Sequence, residues 1–560
     1  MRFHKLKYLI VLFGPVLLQI VPVHAADQTY FVNISGDDTN SGRSESEALG
    51  TIRRATELAG PGDTVLILPG IYDEVIRPDN SGNKNEGHIT YLGGGLTPGE
   101  VVISHLSDDS DFAGVIIDQH SYIRIENIIS EGNFAYGIWV FAPKGNPVSH
   151  IEILDCIIRG NGNRQAAWGR TGIRTQYVND MLIQDCLVEG NHGGGLLIYD
   201  GSGIVINRCK VINNRGSQPF TYTADDYDGV CIQSCSNVVI RDVEAAYNGE
   251  DGIDIGLYED PDHLKDNKNF YIESCIAHHN SKKGICISNS HEYSDGWRVQ
   301  NVTIAKCLSF YNGKAGIEIY QYARDQRIAH NTVISQSFGN SERDSQYDCG
   351  INIERAGVDS VFVKNNISAF HKSLNFSARK ANEGAEIHGY HNFWSEALLN
   401  TLNYNMSGDI TGDPLFTDSG SIYDYPDLNL AAGSPAINAG APLALTRGHG
   451  INADTLNLDD SKWFTDGLGV LDGSTIRIGD QTARVKKILD KHTLVTDPGL
   501  TWIEGEGITF EYLGSGPDIG ALEYGQTVDY IKGLSCIPPF PENYNPATWP
   551  FSAPELRPNK

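Results

Sequence analysis

The sequence predicts an all-β chain wound as a right-handed parallel β-helix, a solenoid with an N-terminal capping helix and a small inserted β domain near the C-terminus. Three observations predict it. A unit of Asn, three residues, Gly and an alternating apolar strand recurs along the middle of the chain. A ladder of cysteines keeps the same register. The opening has the helix and strand needed to cover a first coil.

The recurrent unit is seen at Asn133 to Gly137, Asn191 to Gly195, Asn248 to Gly252, Asn280 to Gly284 and Asn312 to Gly316, each followed by a short strand such as Ile253-Asp254-Ile255. A strand, a step, a second short strand and this third strand per repeat is the pattern of a coiled solenoid, in which each coil buries its apolar face on its neighbours. Asn is expected at the turn because it tolerates a left-handed backbone, and its stacked amides can bond one another. Cys156, Cys186, Cys209, Cys275 and Cys307 fall in one register, with Val243 in the intermediate slot. Successive members should lie about 4.8 Å apart in the interior. They read as small buried hydrophobes with free thiols rather than as disulfides.

The remaining elements follow in order. Residues 1–25 read as a signal peptide: Arg2, Lys5 and Lys7, an apolar run from Tyr8 to Val21, and a cleavage site near Ala25, which implies a secreted or periplasmic chain with no membrane span in its mature form. Residues 26–395 are assigned to the solenoid and its cap, with an amphipathic helix from Thr51 to Ala59 covering an otherwise open edge. The cap from Tyr30 to Glu74 resembles that of secreted β-helix proteins of the pectate lyase superfamily. The regular coils fade after Asn352. Residues 396–442 and 515–525, with Gly412-Asp-Pro-Leu-Phe416 and Asp518-Ile-Gly-Ala-Leu-Glu-Tyr524, form a terminal module. It is interrupted by a β-barrel-like insert at 443–514, and residues 526–560 are a Pro-rich tail.

The formal net charge is −27. Nucleic acid is thereby disfavoured, since its affinity rests on basic side chains neutralising phosphates. An acidic polymer is equally disfavoured unless a metal or a local basic cluster intervenes.

In the third strand of each coil the residue after Gly points inward and the next outward. Stacking then gives one outer column of Trp139, Arg174, Leu197, Cys231, Asp254, Cys286, Glu318 and Asn352. A second column holds Tyr136, Thr171, Gly194, Asp228, Asp251, Lys283, Ala315 and Cys349. Asp228, Glu250, Asp251 and Asp254 make an oxygen-rich cluster suited to Ca²⁺, because such crowding is unfavourable without a cation or a proton. Tyr227-Asp228-Gly229 and Glu250-Asp251-Gly252-Ile253-Asp254 resemble the paired calcium motifs of family nine polysaccharide lyases, with Glu250 replacing an aspartate. That resemblance implies a Ca²⁺-dependent β-elimination on a uronic-acid polysaccharide. The family's lysine base falls on Cys286 here, so Lys283 is the candidate base, with an ion pair to Asp251 as its plainer role.

Arg174, Glu318 and Tyr320 are candidate substrate contacts, and Trp139, Tyr199, Tyr320 and Tyr322 could stack on sugar rings. A C5-epimerase shares the proton abstraction and differs in returning a proton to the other face. A glycoside hydrolase using paired carboxylates is an alternative, with Asp254 and Glu318 about 9 to 10 Å apart or Asp228 and Asp254 closer. A non-catalytic carbohydrate-binding or adhesin solenoid is a third. A transition-metal role for His278-His279 or Asp260-Pro-Asp-His263 is disfavoured, because adjacent strand residues face opposite ways.

Overall fold

The computed structural model describes residues 27–526, apart from 96–99, 107–111, 163–170, 216–226, 257–266, 289–298, 337–348, 355–357, 372–373, 379–385, 396–403 and 420–424. The signal-peptide residues, the segment from Asp260 to His263 and the tail beyond 526 lie outside the described residues.

Three long sheets run the length of the solenoid, of 14, 13 and 10 strands, each pairing every strand in parallel with its counterpart one coil away. One coil illustrates the path: Ser236–Arg241 lies in the first sheet, Glu244–Ala246 in the second and Ile253–Gly256 in the third. The alternation written in the sequence places every second side chain inside. Ile153, Ile183, Ile206, Ile240, Ile272 and Ile304 are partners in unbroken register, and all are buried. Each such side chain contributes roughly 1.5 to 3 kcal/mol of burial, so the stack is the main source of stability.

The step between the first and second sheets is a single residue in the left-handed region. Asp155, Asp185, Arg208, Asp242, Ser274 and Lys306 take it with φ between 48° and 55°. The ladder cysteines follow directly, buried and unpaired. Each donates weakly to backbone, as Cys186 Sγ does to the Gln184 and Ile153 carbonyls at 3.2 and 3.5 Å.

The asparagine ladder differs from its sequence reading in two ways. It also includes Asn161 and Asn214, and Gln336 ends it. The left-handed residue is the one before each asparagine (Gly132, Gly160, Gly190, Asn213, Tyr247, His279, Tyr311), not the asparagine itself. The turn frees the asparagine to point inward, where its amide bonds the next coil.

The cap helix, Ile52–Leu58, starts at Thr51, whose hydroxyl accepts from the Arg54 N–H at 3.1 Å, and buries Ile52 and Ala55 over the first coil. The coils continue past Asn352. Strands Asp359–Lys364, Ile387–Tyr390 and Tyr404–Ser407 extend the first sheet, and Ile410–Thr411 closes the second. Beyond them an antiparallel six-stranded sheet spans Ala444 to Phe510, and a bridge between Thr446 and Leu458 joins its two edges. Its core of Trp463, Phe464, Trp502 and Phe510 packs against Ala305 and Ala329 of the solenoid. Arg327, itself buried, pairs with Asp460 at 2.7 Å across that contact. The segment from Ala436 to Gly440 meets Pro517–Gly520, where the Asn438 N–H donates to Asp518 Oδ1 at 2.6 Å, and this module covers the second sheet.

Candidate functional site

The third sheet aligns both outer columns as the sequence spacing implies. Trp139, Arg174, Leu197, Cys231, Asp254, Cys286, Glu318 and Asn352 are successive register partners. Outward register does not mean exposure, however. Cys286, Glu318, Asn352 and Asp251 are buried, with 0 to 3% of their surface accessible, and Asp228 and Asp254 are only partly accessible. The expectation of an exposed wall is corrected: these side chains keep little accessible surface, so their charges meet with little water between them.

Within that wall the groups interlock. Asp228 Oδ1 accepts the Asp251 N–H at 2.9 Å, and Asp251 Oδ1 accepts the Lys283 N–H at 2.8 Å, so each carboxylate is held by the next coil's backbone. The Lys283 ammonium lies 3.3 Å from Asp251 Oδ2, 3.2 Å from Glu318 Oε1 and 3.3 Å from Cys286 Sγ. Its Nζ is 5.7 Å from the centre of the Tyr320 ring. Asp254 Oδ1 accepts the Ser288 hydroxyl at 2.8 Å, and Glu318 Oε2 accepts the Asn352 amide at 2.8 Å.

Electrostatics follow from burial and crowding. Burial, then Asp254, Glu250 and Asp251, push the Asp228 carboxyl well above the carboxylate range. Burial and Asp251 raise Asp254 to about 7, against the pull of Lys283 and Ser288. Burial alone would lower Lys283, but Asp251, Cys286, Glu318 and Asp254 together raise it well above its ordinary value. Burial lifts the Cys231 and Cys286 thiols, so both are protonated and unreactive.

Ligand atoms of Asp228, Cys231 and Asp254 lie within 4.8 Å of one another, as do those of Asp251, Asp254 and Cys286. Asp254 thus lies close to Asp228 in one grouping and to Asp251 in the other, each grouping being completed by a thiol. In each grouping two carboxylates, Asp228 with Asp254 or Asp251 with Asp254, are acidic groups that could hold a metal ion. Glu250 is placed otherwise: it pairs with Lys282. Sequence reasoning did not single out Ser288, Asn352 or the two thiols as parts of the site. Only the register of Cys231 and Cys286 in the outer column signalled the thiols.

Arg174 lies three rungs from Asp254 along the same column. His278 and His279 do not diverge as strand alternation implied. His279 ends its strand at φ 51°, which turns its Nδ1 to within 2.8 Å of His278 Nδ1, while His278 Nε2 meets Glu244 Oε1 at 3.1 Å. The pair serves a buried network on the second sheet, packed on Phe310.

Residues 100–222 and 220–338 match the family described as a right handed beta helix region. No curated protein matches the sequence. Among solved structures, pectate lyase Pel9A is similar at 15% identity over 89% of this chain and 97% of that one, with a TM-score of 0.41. The A-module of the mannuronan C-5 epimerase AlgE6 from Azotobacter vinelandii is 18% identical over 65% of this chain and 93% of that one, TM-score 0.41. The GH136 lacto-N-biosidase from Eubacterium ramulus is 11% identical over 69% and 68%, TM-score 0.40. Nothing about the reaction follows from likeness at this level. Strand register and the family match over residues 100–338 together identify the chain as a right-handed parallel β-helix protein.

Proposed function

We propose that the chain is a polysaccharide-active enzyme whose reaction centre is the wall of Asp228, Asp251, Asp254 and Lys283. The reaction is β-elimination, or C5-epimerisation, on a uronic-acid polymer. The observation that carries this reading is the placing of Asp254 close to both Asp228 and Asp251, with Lys283 paired to Asp251 beside them. When bound there, a divalent cation such as Ca²⁺ would supply charge to pair with a uronate carboxylate and favour loss of the neighbouring C5 proton.

Lys283 is the nearest base, but its pairing with Asp251 and Glu318 keeps it an ammonium. It can accept a proton only when those carboxylates are satisfied elsewhere, which ties its basicity to occupancy of the carboxylates. Glu318 fixes the lysine from the far side, and Asn352 fixes Glu318. Tyr320 bounds the same space.

A hydrolytic reading has one observation in its favour. Asp254, raised to about 7, can hold a proton at neutral pH, while the neighbouring Asp251 carboxyl is ion-paired with Lys283. Two nearby carboxyls in unlike environments are the ordinary basis of acid and base assignment in glycosidases.

Incubation with pectate, alginate and glycosaminoglycans, with Ca²⁺ and with chelator, separates the two. Elimination gives a chelator-sensitive rise in absorbance at the unsaturated-uronate band, and epimerisation changes the uronate composition without that rise. Hydrolysis gives new reducing ends without the rise. Lys283→Ala is expected to lower elimination by about 10² to 10⁴-fold, the usual contribution of a positioned acid or base. Unchanged turnover in that variant removes Lys283 from the mechanism.

A further inference from the structure

The same outer column carries a second built feature, nearer the N-terminal end. Trp139 is four register steps from Asp254, through Arg174, Leu197 and Cys231, a separation of about 19 Å along the wall. Around it the aromatic side chains form a platform. The Trp139 and Phe141 rings stack with centroids 5.2 Å apart and 17° between their planes. Tyr136 lies 6.4 Å from Trp139, also at 17°. Phe112 backs the group at 5.0 Å from Trp139. Trp139 and Phe141 are both partly accessible.

Arg174 stands at the edge of this platform. Its Nη1 donates to the Tyr136 hydroxyl at 2.9 Å, and its guanidinium lies 5.6 Å from the Tyr136 ring centre and 5.5 Å from that of Tyr199. Among the described residues it makes no ion pair with a carboxylate. On a chain of net charge −27 it is a partly buried guanidinium held between two aromatic rings. Its planar fork matches a carboxylate bidentately, and the rings fix its orientation beforehand.

We infer that Arg174, Trp139 and Tyr199 form a distal subsite for a uronic-acid residue of the same polysaccharide chain whose reacting residue lies at Asp254. Trp139 takes the apolar face of the sugar ring and Arg174 takes its carboxylate. The inference rests on the polysaccharide reading above and adds its length and charge preference. If a chain advances about one sugar per rung of ~4.8 Å, a trimer reaches one end of the wall and not both, whereas a hexamer spans them.

The test uses tryptophan fluorescence quenching to compare trimers and hexamers of galacturonic, mannuronic, guluronic and glucuronic acid, with cellohexaose as a neutral control, on the full chain and on Arg174→Ala and Arg174→Lys. Unfolding midpoints of each variant certify the fold. The wild type is expected to bind at least one uronate hexamer tenfold or more tighter than its trimer. Arg174→Ala should remove that advantage, and Arg174→Lys should restore part of it. An unchanged hexamer-to-trimer ratio in Arg174→Ala overturns the subsite, as does equal binding of cellohexaose or no binding of any uronate by the wild type. Length-dependent, Arg174-dependent binding with no turnover leaves the subsite standing and removes the enzymatic reading. Turnover without length dependence does the reverse.

Discussion

The asparagine ladder and the carboxylate wall are built by the same operation and behave in opposite ways. Both are set by coil register: the ladder stacks one asparagine per coil, and the wall stacks Asp251 on Asp228 with Asp254 beside Asp251 on the same coil. Asn248 and Asn280 each hand an amide hydrogen to the next asparagine's oxygen, at 3.1 and 3.0 Å, so that each dipole is met by its copy. Asp228, Asp251 and Asp254 crowd charges instead of dipoles, and burial together with that crowding raises Asp228 and Asp254. Stacking a neutral donor-acceptor group is self-consistent, while stacking an anion leaves a demand that a proton, a lysine or a metal must meet. Where a solenoid departs from self-consistency in this way, a ligand is the natural completion.

The largest effect should come from breaking the consistent side. Asn280 accepts from the Asn248 N–H and amide and donates to Asn312 Oδ1 and the Ala245 carbonyl, all in a fully buried setting. Asn280→Leu removes these four bonds, stranding the Asn248 N–H and taking one partner each from Asn248 Nδ2, Asn312 Oδ1 and the Ala245 carbonyl. At about 1 to 3 kcal/mol for the buried group stranded, and with the other bonds lost as well, even partial relaxation should leave a loss of several kcal/mol. Chemical denaturation reads this directly. A loss below about 1 kcal/mol would mean that the ladder is ornamental.

The wall should respond in the other direction. A carboxyl raised to about 7 in the fold, as Asp254 is, adds stability that is complete below its ordinary 3.8 and is lost as pH rises through about 7. The unfolding midpoint without added metal should therefore fall between pH 4 and pH 8, beyond what other groups produce. Asp254→Asn should flatten that decline and raise stability at pH 8 by on the order of 1 kcal/mol, solvent access being allowed for. Millimolar Ca²⁺ should restore the midpoint at pH 8 in the wild type and less so in Asp254→Asn. A pH profile identical in the two proteins would detach Asp254 from the electrostatics of the wall.

The contrast also explains what could be read from the sequence. Asn to Gly at constant spacing, with Ile alternation after it, gave the coil and aligned the outer column from Trp139 to Asn352. Asn161 and Asn214 were missed because long segments separate them from their glycines, Gly172 and Gly229, so the interval that marked the others was lost. The mutual orientation of His278 and His279 was misread because a left-handed corner breaks strand alternation at His279. Burial of Glu318 and Cys286 was invisible because register fixes direction, not coverage. The Lys283 to Asp251 pair was legible from stacking, whereas the second partner, Glu318, is diagonal to it and sits two coils from Asp251.

The smallest effect is expected in the cysteine ladder, which shares the coil register but carries neither strong dipoles nor charges. Cys186 is fully buried, and burial pushes its thiol well up, so it behaves as an apolar side chain with a weak donor. The ladder itself supplies the control, since Val243 occupies the slot between Cys209 and Cys275 without interrupting either neighbour's pairing. Cys186→Val should therefore cost less than about 1.5 kcal/mol, as volume-conserving apolar exchanges do. Native protein should also leave all the ladder thiols unreacted with a thiol reagent until it is unfolded. Rapid labelling of Cys186 in the folded protein, or a loss comparable to that of Asn280→Leu, would show that the sulfurs do more than fill space.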